Sequence, residues 1–196
     1  MKYRKGVGMG VAFIVVAALG YYYFGSASKK PAGVVIPAYL EESVAQAWKE
    51  FQPENGSFKV LFPSSVTHAM TTKSSDQSNE VTRYDNYSAR GSDRATYTLN
   101  TVQYPASFDT KDPSALFQSL LHNMVTSVSE TEIIGQNPTT FLNYPALDFN
   151  LQNPNYATVG RVILAGKTLY VLTVTDPDLN GLEKRFHTFA DSLTLG

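Results

Sequence analysis

Residues 157–175 read ATVGRVILAGKTLYVLTVT, and this stretch decides the fold. Two apolar, β-branched runs flank Gly166-Lys167. A glycine at the first position of a two-residue turn suits a type II′ hairpin. That turn sets a register in which Ile163 opposes Tyr170 and Val159 opposes Val174 on one face. On the other face Val162 opposes Val171 and Leu164 opposes Leu169. Both faces are apolar, so the hairpin is expected to be covered on both sides. Arg161 falls opposite Leu172, on the face shared by Val159 and Ile163.

Further strands are legible on the N-terminal side. Thr131–Gly135 is a short candidate, and Phe141–Leu151 is another, interrupted by Tyr144-Pro145 as a turn or edge feature. In residues 94–104, RATYTLNTVQY, Ala95, Tyr97 and Leu99 share one parity. Phe58–Phe62 reads as the first strand, ended by Pro63. The Ser/Thr-rich stretch from Ser64 to Asn79 reads as a strand with a loose hairpin or a surface loop, and residues 80–90 fit neither period.

Helices are expected where the apolar period changes. Asp112-Pro113 offers an N-cap and a proline at the first helical position, before the stripe Leu116, Phe117, Leu120, Leu121, Met124 and Val128. Asp176-Pro177 repeats that start signal before Leu179, Leu182, Phe186, Phe189 and Leu193. Residues 39–51, YLEESVAQAWKEF, predict a short helix with Trp48 packed in the core or at the domain edge. The order helix, strands, helix, four strands, helix predicts an α+β domain, an antiparallel sheet flanked by helices. No glycine-rich strand-to-helix loop supports a doubly wound nucleotide fold.

The N-terminus has a different character. Residues 1–6 form a basic head with Lys2, Arg4 and Lys5. The run 7–24, VGMGVAFIVVAALGYYYF, holds no charge and ends in Tyr21, Tyr22, Tyr23 and Phe24. Its length and terminal aromatics predict one transmembrane helix or signal anchor, with the basic head inside. A cleaved signal peptide is the competing reading, since Ser26-Ala27-Ser28 is a small-x-small triplet. Residues 25–38 read as a spacer and 39–196 as the domain. All five charges in residues 1–30 are basic, which leaves 11 of the 16 basic residues against all 17 acidic ones, a balance of about −6 for residues 31–196. That balance excludes the basic footprint of a nucleic-acid binder. The absence of cysteine excludes disulfides, thiolate ligands and thiol catalysis.

No catalytic residue stands out, and no cofactor or metal is expected. His68, His122 and His187 share no metal-binding spacing, and no serine sits in a G-x-S-x-G elbow. The acid pairs Glu130/Glu132 and Asp176/Asp178 are read as a helix-strand junction and as capping. Arg161 is the most informative polar residue, lying inside an apolar strand with Asp148 and Glu183 as candidate partners. The reading preferred is a partly buried ion pair, with anion binding as the alternative.

Between Gly56 and Leu195 the chain resembles the PsbP-like family. The resemblance rests on the order of FKVLFP at 58–63, NYPALDF at 143–149, Tyr156, Gly160-Arg161, GKTLY at 166–170 and FHTFADSL at 186–193. It implies an α/β/α sandwich around an antiparallel sheet, a non-enzymatic role and binding to a larger protein assembly. Tyr144, Gly160, Arg161 and Tyr170 carry over as fold-supporting positions. The expected function is a membrane-tethered adaptor or accessory subunit that binds an envelope protein complex. It would sit in the bacterial inner or cytoplasmic membrane, with its domain facing the periplasm or exterior. Secretion after signal cleavage is the alternative location. A small hydrophobic-ligand domain with a cleft near Tyr144, Tyr156 or Tyr170 is the second reading, and an enzyme without a recognisable motif the third.

Overall fold

The computed structural model describes residues 48–74 and 80–196. The expected membrane run, the spacer and most of the 39–51 helix lie outside the described residues. Among the described residues no helix is long and apolar enough to cross a membrane. The end of the expected first helix is corrected: Lys49–Phe51 is a strand, β1. It pairs antiparallel with β2, Phe58–Phe62, placing Phe51 opposite Val60. The Phe51 ring then meets Phe58, Phe62 and Tyr87 at centroid distances of 6.2, 5.9 and 5.3 Å. An aromatic cluster therefore fixes this segment in the extended form.

The main sheet has seven strands. They are β3 (Thr67–Ser74), β4 (Val81–Arg90), β5 (Thr96–Gln103), β6 (Glu132–Phe141), β7 (Tyr144–Gln152), β8 (Ala157–Ala165) and β9 (Thr168–Asp176). Their order is β3-β4-β5-β9-β8-β7-β6, and every neighbouring pair is antiparallel. The β8–β9 hairpin has the expected register, with Ile163 opposite Tyr170 and Arg161 opposite Leu172. Gly166 takes φ +61, the left-handed value its turn position requires. The stretches 64–79 and 80–90 contribute β3 and β4, whose polar residues on both faces hide the strand period. Another correction concerns Tyr144-Pro145. Both residues lie in β7, and the turn is Leu142-Asn143 at φ 50 and 66, a two-residue connection of type I′ form.

Two helices cover opposite faces of this sheet. Helix α1, Pro113–Ser127, is capped as expected, with Asp112 accepting from the Ala115 N–H at 3.0 Å. It buries Phe117, Leu120, Leu121 and Met124 against Leu147, Phe149, Leu151, Val162, Leu164 and Val171. Helix α2, Leu182–Ala190, covers the other face together with β1, β2 and the C-terminal strand β10, Thr194–Leu195. That core joins Phe58, Phe62, Tyr97, Leu99, Ile163, Leu172, Phe186, Phe189 and Leu193. The hairpin is thus buried on both faces, as its sequence requires.

The expected start of α2 at Asp176-Pro177 is also corrected. Ladder pairing with Ala157 carries β9 through Asp176, whose carboxylate accepts from the Asp178 N–H at 2.6 Å. An Asp before Pro here closes a turn at the strand end instead of capping a helix. The chain then climbs to the face of the sheet, and the helix begins after Gly181, which has φ +68 and no side-chain cap. Leu179 is left 54% exposed, outside the helical stripe.

Candidate functional site

Arg161 occupies the centre of β8, directly opposite Asp148 of β7. Its guanidinium grips that carboxylate with two bonds, Nε to Oδ1 at 2.6 Å and Nη2 to Oδ2 at 3.0 Å. A third bond runs from Nη1 to Oδ1 of Asp191, just past the end of α2, at 3.0 Å. The cation also lies 5.0 Å from the Phe141 ring centroid and 5.8 Å from that of Phe186. The arginine side chain is 8% exposed, against 29% for Asp148 and 54% for Asp191. Burial works against the charge, but the bonds from Asp148 and then Asp191 more than offset it, so the pKa rises above the ordinary arginine value. The planar fork is filled by a bidentate acid on one side and a second acid on the other.

The remaining residues singled out in the sequence are placed differently. Glu183 does not reach Arg161; it is exposed on α2, and its carboxylate accepts a long 3.5 Å bond from Asn150 Nδ2. Helix α2 begins five residues later than the Asp-Pro signal implied, and this brings Asp191, not Glu183, to the arginine. Tyr170 is buried, and burial first, with the nearby Tyr144 second, raises its pKa. Tyr144 is 38% exposed at the start of β7. Tyr156 lies in the turn between β7 and β8, where Asn153 accepts from its backbone N–H at 3.0 Å. The three tyrosines therefore line no common cleft: Tyr144 and Tyr170 approach each other at one end of the sheet, and Tyr156 is at the opposite end of β7.

A second polar centre escaped the sequence reading. Asp85 of β4 is 6% exposed and accepts from Arg83 Nε at 2.7 Å, from Arg83 Nη2 at 2.9 Å and from His68 Nε2 at 2.8 Å. The His68 ring stacks on Tyr87 at 4.4 Å and an interplanar angle of 5°. Burial raises the Asp85 carboxyl, but the bonds from Arg83 and His68 outweigh it and hold its pKa below the usual carboxylate value. Burial, assisted by Asp85, pushes the Tyr87 hydroxyl up to about 12. The alternation Arg83, Asp85, Tyr87, Ala89 was the available signal, since these residues share one face of β4.

Two hollows open on the described surface, the first beside the Asp85 centre and the second away from both centres. One of about 60 Å³, lined by Arg83, Asp85, Tyr87, Thr101 and Tyr170, has room for about two waters. The other is an open cleft of about 450 Å³ between Trp48, Pro63, Asp93, Tyr97, Lys184 and Arg185. Trp48 stands edge-on to Tyr97 at 5.1 Å. Arg185 bonds Asp176 at 2.8 Å and the carbonyls of Asp178 and Asn180 at 3.2 Å, pinning the loop before α2. Among the described residues no group of three or more histidines and acids could hold a metal ion.

Neither a family model nor a curated protein matches the chain by sequence. Solved structures do resemble it. The solution structure of the cyanobacterial PsbP protein CyanoP, from Synechocystis sp. PCC 6803, superposes with a TM-score of 0.52 at 10% identity, covering 88% of this chain and 99% of that one. A Pseudomonas aeruginosa protein of unknown function gives a TM-score of 0.39 at 8% identity over 70% of this chain and 88% of that one, too low to argue from. The antiparallel sheet flanked by helices is therefore a PsbP-like α+β fold.

Proposed function

We propose that the chain is a non-enzymatic, membrane-tethered adaptor or accessory subunit whose domain binds an envelope protein complex outside the cytoplasm. The observation that carries the tether is the uncharged run 7–24 behind a basic head. The adaptor role is supported by how the domain uses its strongest polar groups. Arg161 is bound by two acids of its own domain, and Asp85 by Arg83 and His68, so both centres serve the fold. A fold of the PsbP-like kind is consistent with service in a larger assembly. The test is mild-detergent affinity capture of the full chain after crosslinking in native bacterial membranes. Membrane retention with one partner in constant ratio is expected. Recovery only as an isolated monomer across several detergents refutes the adaptor reading. An intact mass beginning at Lys29 refutes the tether and leaves a secreted protein.

A second reading, binding of a small hydrophobic ligand, is favoured by the 450 Å³ cleft beside Trp48, which falls in the size range of ligand pockets. The hollow at Tyr170 is too small for a lipid chain. Quenching of Trp48, the only tryptophan, by a panel of apolar ligands separates this reading from the first.

A further inference from the structure

Asn-Gly occurs twice in the chain, at Asn55-Gly56 and at Asn180-Gly181. An asparagine before glycine can close a five-membered ring onto the next backbone nitrogen, because glycine has no Cβ to shield that atom. Both asparagines sit in exposed turns, and both glycines are left-handed, Gly56 at φ +65 and Gly181 at φ +68. By dipeptide and backbone the two sites are alike.

Their hydrogen bonds differ. The Asn55 carboxamide oxygen accepts from the Ser57 N–H at 3.2 Å, and the Gly56 N–H donates to the Pro53 carbonyl at 2.9 Å. Both reacting groups of that pair are therefore occupied. At the second pair only the main chain of Asn180 is held, its N–H by Asp178 Oδ1 at 2.9 Å and its carbonyl by Arg185 Nη2 at 3.2 Å. Among the described residues, the Asn180 carboxamide and the Gly181 N–H have no hydrogen-bond partner. Beyond the chain neighbours, no atom lies within 4 Å of where a Gly181 Cβ would sit, so the nitrogen is open on that side.

We infer that Asn180 is a site of spontaneous deamidation, with water as the co-reactant, and that the Asn55 turn is protected from the same reaction. A solvent base removes the Gly181 amide proton, and the nitrogen attacks Cγ of Asn180. The N–Cγ bond forms, the bond from Cγ to the side-chain nitrogen breaks, and that nitrogen leaves as ammonia with a proton from solvent. Water then opens the cyclic imide in one of two ways. Breaking the N–Cγ bond gives aspartate at position 180. Breaking the bond from the same nitrogen to the main-chain carbonyl carbon gives isoaspartate, whose chain runs through the side chain and is longer by one carbon.

Either product places a new carboxylate on the Trp48 cleft, which residue 180 lines beside Lys184 and Arg185. Isoaspartate also shifts the carbonyl that Arg185 holds and lengthens the entry to α2. The age of the molecule is thereby written into the charge of its cleft. The inference depends on neither the adaptor nor the ligand reading.

The test holds the full chain in mild detergent and warm, mildly alkaline buffer, with samples taken over time. Trypsin releases Asn55 in peptide 50–59 and Asn180 in peptide 168–184, each the single asparagine of its peptide. Exchange of NH for O should appear in peptide 168–184 roughly ten-fold faster than in 50–59, because hydrogen bonds hold the Asn55 groups out of attack geometry. The rate should rise with pH, as removal of an amide proton requires. In denaturant the two rates should converge, since the dipeptide is the same. Asn180→Gln, which would need a six-membered ring, should abolish the change in peptide 168–184. Amide exchange in the first turn of α2 should be faster in aged protein than in Asn180→Asp, which adds the charge alone. Equal rates in the folded chain overturn the inference, as do faster conversion at Asn55 and conversion at neither site. A preference that survives denaturant overturns its structural basis, and exchange no faster than in Asn180→Asp overturns the isoaspartate branch.

Discussion

Removing Asp148 should harm the domain more than removing Arg161, although the first change breaks two of the arginine's bonds and the second all three. Asp148→Ala leaves the guanidinium of a side chain that is 8% exposed, held only by Asp191, itself 54% exposed. An arginine cannot shed its proton, so a charge stays buried and half-partnered. Breaking a buried pair in this way costs about 3 kcal/mol, the low end of the usual range because Asp191 remains. Arg161→Met instead keeps an apolar stem against Phe141 and Phe186. It strands only Asp148 and Asp191, which at 29% and 54% exposure can take up water. Its cost should be about 1 kcal/mol. With a urea slope of about 1–3 kcal/mol/M, the two midpoints should differ by about 1 M. Urea melts of residues 31–196, followed by Trp48 emission, measure this. The double variant should be no less stable than Asp148→Ala alone. The reasoning fails if Arg161→Met is as damaging as Asp148→Ala, because burial asymmetry would then not govern the pair.

Three further outcomes follow from the packing. Gly160→Ala would put a Cβ 2.8 Å from Phe149 Cε1 and closer to Cζ, so the buried ring must move, at about 1–3 kcal/mol by denaturant melt; no change would mean the ring yields freely. Leu120→Ala and Phe186→Ala each empty a buried site, 5% and 1% exposed, and should each cost about 2–5 kcal/mol, a loss under about 0.5 kcal/mol contradicting the assigned burial. Asp85 has a folded pKa below its unfolded value near 3.9, so its contribution is complete above that value and is lost as pH falls through it toward the folded pKa. Asp85→Asn should flatten the acid limb of a stability–pH curve, and an unaltered limb would show that Asp85 does not set it.

The legible parts of the fold were those with one clear local rule. Gly166 set a turn, and the unbroken apolar runs beside it set a register that the structure reproduces pair by pair. Asp112-Pro113 capped α1 for the same reason. Asp176-Pro177 carries the same dipeptide, but there the ladder to Ala157 prevails over the helix signal. Trp48 and Phe51 are three apart, a spacing that fits a helix, and only the surrounding rings select a strand. Asp148 was legible as a partner of Arg161 because neighbouring strands of a hairpin face each other. Asp191 was not, because its approach depends on where α2 starts and how it crosses the sheet. His68 and Asp85 stayed hidden because β3, exposed along all eight residues, shows no apolar alternation that would reveal a strand.

The central ladder between β5 and β9 also constrains how the molecule is made. β3, β4 and β5 form one meander of neighbours, and β6 to β9 form another. The strands of each are consecutive in the chain, but the two meet only through pairs such as Thr96 with Thr175 and Gln103 with Thr168. A helix and three strands are synthesised between those partners. Joining them closes a long loop before any reward is collected, so this step should set the folding rate. Until β9 arrives, β5 presents an open edge bearing Tyr97, Leu99 and Val102, all buried in the finished domain. The nascent chain is therefore most prone to aggregate in that interval, and a chaperone that shields β5 would act there.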